Sequence, residues 1–187
     1  CEIEDSLGAV EAQARAWRED RTGWVASGMR LWKRRPLQKF FGQTKRIRFE
    51  DDVDKAGDIA AREGRSHMCW ASKASGKAVR VEDGFLRSRG LGADLVPPLS
   101  LVLDSGGIYY DPTRSSDLEG WIHKRAAGLR PDQTQRIHRL IRDLVADGLS
   151  KYNLSGSLPD LPAGRRILVP GQVEDDASIL TGSPDIR

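Results

Sequence analysis

Four short segments between residues 45 and 83 constrain the fold more than anything else in the chain. KRIRFED (45–51) alternates apolar and charged residues, as a half-buried strand does. DVDKAGDIAARE (52–63) is a helix candidate with acids at its front, where the helix dipole favours them. SHMCWAS (66–72) and KAVRVED (77–83) are further apolar runs of strand length. The order is strand, helix, strand, short connection, strand, which predicts an α/β protein with a mostly parallel sheet. At 187 residues the chain suits one domain or one and a part, and 39% hydrophobic content is enough for a real core.

The flanking segments extend this frame. GAVEAQARAWRED (8–20) looks helical. WVASGMRLWKRRPLQKFFG (24–42) combines small residues, the basic cluster Lys33, Arg34 and Arg35, and apolar Phe40 and Phe41, and Pro36 is expected near a helix start. SLVLDSGGIYYD (100–111) reads as a hairpin of two apolar strands around Ser105-Gly106-Gly107. Ser116 and Glu119 have capping-box spacing at the head of a helix. In 132–149, Ile137, Leu140, Ile141, Leu144, Val145 and Leu149 follow the helical period on one face, opposite arginines. SGSLPDLPAG (155–164) is a Pro/Gly/Ser-rich linker, RRILVPGQ (165–172) a fresh strand, and DDASILTGS a helix entry. The expected division is a lead-in at 1–23, a first domain at 24–154, the linker, and the start of a second domain at 165–187. With no initial methionine and a new strand-and-helix pattern just begun, the chain reads as a piece of a longer protein.

Composition narrows the functional classes. Thirty basic against 27 acidic side chains leave +3, which does not point to nucleic acid. Cys1 and Cys69 make neither a disulfide framework nor a metal-ligand spacing, and His67, His123 and His138 are isolated, so no metal is expected. No apolar run approaches the ~20 residues of a membrane span, and no signal peptide is visible.

Two acidic strand ends carry the chemistry. In VRVEDGFLRSRG (79–90), a strand ends in Glu82, Asp83 and Gly84, followed by Arg87 and Ser88. Ligands of open α/β sheets bind outside the carboxyl ends of strands, where acids orient hydroxyls or move protons and an arginine holds a carboxylate or phosphate. The same residues also make a turn with a local ion pair, and spacing does not separate the two readings. In GQVEDDAS (171–178), Glu174, Asp175 and Asp176 lead into a helix, as they would for capping alone. Two acidic strand ends on either side of a linker suit a cleft between two domains. The basic and aromatic stretch 24–42 fits contact with an anionic lipid surface or acidic ligand, or a helix docked on its own domain.

EDGFLRSRGLGADLVPPLSLVLDSGGIYYDPTRSSDLE (82–119) resembles the signature of capsule polysaccharide biosynthesis proteins of the KpsC/LipB type. SKYNL (150–154) and ILVPGQVEDDASI (167–179) fit the same family in the same order, and WKRRPLQKFFG (32–42) resembles the lead-in to the second module of such proteins.

The resemblance implies a GT-B fold: a Rossmann-like first domain for the acceptor and a second for the nucleotide sugar, of which this chain supplies only the opening. It implies a retaining β-Kdo transferase that moves Kdo (3-deoxy-D-manno-oct-2-ulosonic acid) from CMP-Kdo onto a Kdo-lysophosphatidylglycerol linker. No cofactor beyond the donor is implied. The partners would be the capsule assembly and export machinery, at the cytoplasmic side of the inner membrane. By match to the family motif, Asp176 is the expected nucleophile and Gln172 positions the sugar. Glu82 or Asp83 is the expected base, and Gly84, Arg87 and Ser88 are expected to line the acceptor side. The family's His-Pro element and later nucleotide contacts would lie past Arg187, so this piece alone is expected to be inactive. Two other classes stay open: a non-catalytic sugar-binding module, and a retaining glycoside hydrolase with Asp176 and Glu82 as its carboxylate pair.

Overall fold

The computed structural model describes residues 3–74, 76–126, 128–157, 159–171 and 173–182. They form two compact units, one ending at Glu82 and the other beginning at Asp83. The first unit opens with α1 (Ile3–Glu19), then β1 (Trp24–Ser27), α2 (Leu31–Phe41), β2 (Arg48–Phe49), α3 (Val53–Glu63) and β3 (Ser66–Trp70), and runs into β4 (Val79–Asp83). Its strands lie in the order β2-β1-β3-β4. All the pairings are parallel, with Val25 opposite Arg48 and His67, and Met68 opposite Val79.

The central strand β1 was not legible in the sequence. Its four residues WVAS are all buried, and Val25 is fully so. A strand covered on both faces shows no alternation, so nothing in its pattern separates it from the small-residue turn that follows. The helix predicted at 52–63 forms as α3 because both ends are specified. The Asp52 carboxylate accepts from Lys55 N at 2.9 Å, and Gly64 closes the helix in the left-handed region at φ 61°. Ala56, Ile59 and Ala60, spaced three and four apart, put one ridge of α3 into a core with Val25.

α2 docks on its own unit. Leu37 is buried, Phe41 meets Trp24 edge-on at 6.3 Å, and the Lys33 ammonium lies over the Trp70 ring. Pro36 is not at the helix start but inside, in the second turn. Its missing amide removes a bond to the Trp32 carbonyl, and the tertiary contacts around it sustain the helix.

The second unit holds β5 (Leu101–Asp104), α4 (Asp117–Ala126), α5 (Pro131–Ala146) and α6 (Ala177–Gly182). Two expected strands are absent. The hairpin predicted at 100–111 has only its first strand, and residues 109–110 are a turn. The cause is Asp104, 1% exposed, whose Oδ1 accepts from Gly106 N and Gly107 N at 2.9 and 2.6 Å and whose Oδ2 accepts from Asp117 N at 2.9 Å. These bonds fold the chain over the carboxylate and take up amides that a returning strand would need. The strand predicted at 165–172 does not form among its described residues: Ile167, Leu168 and Val169 are exposed and lie in no sheet. A parallel strand has no backbone bonds of its own and requires a neighbour to pair with.

The Ser116–Glu119 capping box forms. Ser116 N donates to Glu119 Oε2 at 2.7 Å and Glu119 N to Ser116 Oγ at 3.1 Å. α5 forms with its predicted apolar face exposed, Leu140 by 54% and Val145 by 75%. No helix of the described residues is long and apolar enough to cross a membrane.

Candidate functional site

The end of β4 is built around a buried arginine. Arg87 is 1% exposed and donates through Nε to Asp83 Oδ2 at 2.7 Å and through Nη1 to Ser88 Oγ at 2.8 Å. Ser88 Oγ passes the chain on to the Gly90 carbonyl at 2.7 Å. Gly92 closes over the guanidinium, since a Cβ there would stand 2.8 Å from Nη2. Burying a guanidinium is tolerable only when it is paired and hydrogen-bonded, and Asp83 supplies the pairing. The Asp83 carbonyl accepts from the Tyr109 hydroxyl at 3.2 Å, while the Phe85 and Tyr109 rings lie 4.8 Å apart.

Gly84 serves close approach rather than an unusual φ. Its amide donates to the Ser100 carbonyl at 2.9 Å, and a Cβ would come within 2.8 Å of the Ser100 Cβ. Asp83, Gly84, Arg87 and Ser88 therefore form one buried or half-buried cluster, with Arg87 and Ser88 engaged inside the protein. Glu82, half-buried, precedes the cluster as the last residue of the first unit.

SKYN (150–153) is zipped to this loop. Arg87 N and Ser88 N both donate to the Lys151 carbonyl, at 2.9 and 3.2 Å, and Gly90 N donates to the Tyr152 carbonyl at 2.7 Å. Asn153 Nδ2 donates to the Ser88 carbonyl at 3.0 Å. Asn153 sits at φ 48°, and its side chain accepts from Ser150 N at 2.9 Å, a local bond that makes asparagine tolerant of that region. The family resemblance marked SKYNL (150–154) without giving it a role. An asparagine three residues after a serine is the signal for such a turn.

Asp176 heads α6. Its carboxylate accepts from Ser178 N at 2.9 Å and from the Ser178 hydroxyl, and its carbonyl accepts from Ile179 N and Leu180 N. The Ser178 hydroxyl, then the Ser178 amide, hold the Asp176 carboxyl below the usual range, and the Lys151 charge adds to this. Asp176 is exposed, as are Glu174 and Asp175, while Gln172 lies outside the described residues. Asp176 thus presents an ionised, solvent-facing carboxylate, while at the strand-end loop the Asp83 carboxylate is already ion-paired. Among the described residues no group of three or more His, Cys, Asp and Glu is placed to hold a metal ion.

The model of the family described as capsule polysaccharide biosynthesis protein matches residues 56–153, about half of the chain. A lipopolysaccharide-processing protein, LpsZ, of Rhizobium meliloti is 48% identical over 63% of this chain and 28% of its own length. A capsule polysaccharide modification protein, LipA, of Neisseria meningitidis is 37% identical over 85% of this chain and 24% of its own length. Among solved structures, the beta Kdo 2,7 transferase KpsC of Thermosulfurimonas dismutans matches with a TM-score of 0.63 at 31% identity, over 86% of this chain and 52% of that one. The beta Kdo 2,4 transferase KpsC of the same organism matches with a TM-score of 0.61 at 27% identity, over 84% of this chain and 51% of that one. The chain spans about a quarter of the length of the curated relatives and about half of the solved ones. It belongs to the capsule polysaccharide biosynthesis family and has the α/β, GT-B-like fold of its solved neighbours, of which it is a part.

Proposed function

From that membership we propose that the protein of which this chain is part is a retaining β-Kdo transferase acting in capsule assembly. Its donor is CMP-Kdo and its acceptor a Kdo-lysophosphatidylglycerol linker. The observation that carries the reading is the exposed, ionised carboxylate of Asp176, in a chain whose solved neighbours are beta Kdo transferases.

The reaction runs as two displacements. An Asp176 oxygen attacks the anomeric carbon of Kdo, and the bond from that carbon to the CMP phosphate oxygen breaks, CMP leaving with the electron pair. The acceptor hydroxyl then attacks the same carbon from the other face. The sugar–Asp176 bond breaks, the carboxylate is restored, and the hydroxyl proton passes to a base. Two inversions give net retention.

Glu82 or Asp83 takes the proton, and the Asp83 carboxylate also holds the buried Arg87 at 2.7 Å. Gly84, Arg87 and Ser88 shape the acceptor side from beneath: Arg87 and Ser88 hold the loop, and Gly84 permits its approach to Ser100. Gln172 orients the sugar. The protein works at the cytoplasmic face of the inner membrane beside the export machinery, where its lipid acceptor resides.

The test is transfer from CMP-Kdo to a lipid-like Kdo acceptor by the full-length protein, wild type against Asp176→Ala. Loss of transfer in the variant is expected. Retained transfer removes Asp176 as nucleophile and favours a sugar-binding role for this acidic turn. Indifference to CMP-Kdo with cleavage of a preformed Kdo glycoside makes the protein a hydrolase.

A further inference from the structure

We infer that α5 is a membrane-docking element: its apolar face enters an anionic lipid surface, and the arginines along one edge of that face take the headgroup phosphates. The inference goes beyond the transferase reading, which names a lipid acceptor but no surface that meets lipid.

Three observations carry it. First, α5 is a 16-residue helix with no buried residue. Ile137, Leu140, Ile141 and Val145 of its apolar face are 39, 54, 53 and 75% exposed. A helix of this length is marginal in water by itself and is normally held by packing of its apolar face, so the face needs a cover. Second, Arg139 and Arg142 are exposed one turn apart with His138 beside them. Among the described residues neither arginine has an ion-pair partner. Third, His138, Arg139 and Arg142 line an open cleft of about 550 Å³ with Leu129, Pro131 and Thr134. By helical spacing His138 neighbours Ile141 and Arg142 neighbours Val145, so the cleft and the apolar face share an edge. The opposite edge carries Asp143 and Asp147, so the helix docks on its basic edge with the acids turned to water.

Charge complementarity selects the occupant. The guanidinium fork matches phosphate oxygens, and arginine is the side chain suited to bidentate phosphate recognition. An anionic bilayer presents phosphates at its surface and hydrocarbon beneath them. Around α5 the arginine edge and the apolar face follow the same order. An apolar groove on a protein would cover the face but leave both arginines unpaired. The other basic helix is spent on its own unit: in α2, Lys33 lies over the Trp70 ring, Arg34 pairs with Asp51, and Leu37 is buried.

The experiment is co-sedimentation of the full-length protein with vesicles of phosphatidylcholine alone or mixed with phosphatidylglycerol. Wild type is expected to partition onto the anionic vesicles roughly tenfold better or more, and less so at high salt. Arg139→Gln with Arg142→Gln is expected to lose about fivefold per arginine, while Arg139→Lys with Arg142→Lys keeps most of the binding. Ile141→Ala with Val145→Ala keeps the helix propensity and is expected to weaken binding to both vesicle types. All four side chains are exposed, and circular dichroism checks that the variants keep their fold. A wild type without preference for anionic vesicles overturns the inference, and so does a preference that survives both sets of changes. Inorganic phosphate is titrated alone by calorimetry, and its binding without vesicle binding makes the cleft a free-anion site and overturns the lipid assignment. A changed oligomeric state in Ile141→Ala with Val145→Ala, with vesicle binding intact, makes the face a protein interface and overturns it too. Vesicle binding needs neither CMP-Kdo nor transfer, so this inference and the transferase reading fail separately.

Discussion

Arg87 and Asp83 form a salt bridge at 2.7 Å in which the arginine is 1% exposed and the aspartate 19%. The pair closes the strand-end loop from inside, so each partner is more important to the other than to solvent. Removing one charge of a buried pair costs about 3–5 kcal/mol because the other is left uncompensated. Asp83 keeps some contact with water, so Arg87→Met is expected near the bottom of that range. The denaturant midpoint measures it, and Arg87→Met combined with Asp83→Leu should cost less than the sum of the two changes.

Gly84→Ala should destabilise the same loop for a steric reason. The new methyl would meet the Ser100 Cβ at 2.8 Å and the Ser100 carbonyl carbon at 3.0 Å. Overpacking of this kind costs about 1–3 kcal/mol. Adding Ser100→Ala should recover only part of the loss, because the backbone contact remains. A thermal melt of the single and double variants decides it.

Ser116→Ala removes one half of the capping box at the head of α4. The expected loss is about 1 kcal/mol, with Glu119→Gln retaining most of the box because an amide oxygen still accepts from Ser116 N. Denaturant midpoints of the two variants compare these effects.

Ser178→Ala should move the pH dependence of transfer in the full-length protein. The Ser178 hydroxyl is the largest cause of the lowered Asp176 pKa. A nucleophilic carboxylate works only when ionised, so activity falls as pH drops through that pKa. Wild type should therefore keep its activity to lower pH than an ordinary aspartate allows, and the acid limb of kcat/KM should shift upward in the variant. For folding the sign is the same. A folded-state pKa below the unfolded value contributes stability above the unfolded value, lost as pH falls through the folded one.

How much of this was legible in the chain depended on whether a local signal existed. α3 announced itself through the acids at its front, and α4 through the spacing of Ser116 and Glu119. β1 did not, because WVAS is buried on both faces and has no period to read. The false hairpin at 100–111 came from treating Ser105-Gly106-Gly107 as a turn between strands. The carboxylate of Asp104 gathers the amides instead, a choice decided by its burial. At the site, the sequence placed Glu82, Asp83 and Arg87 together but left open whether Arg87 faces a ligand. In the structure Arg87 is 1% exposed and bonded to Asp83 and Ser88, a burial that the sequence did not show. SKYN was visible as a motif, but its contact with residues 87–90 bridges more than sixty positions of sequence, and no local pattern encodes such a pairing.

A covalent bond between Asp176 and the sugar is visible to mass spectrometry. The full-length protein is incubated with CMP-Kdo without acceptor, quenched in acid and digested, and the peptide ILVPGQVEDDASILTGSPDIR is sequenced. One added Kdo residue is expected on Asp176, absent in Asp176→Asn. A Kdo adduct on another residue, or retained stereochemistry in the product of an Asp176→Asn protein with no adduct at all, would contradict it.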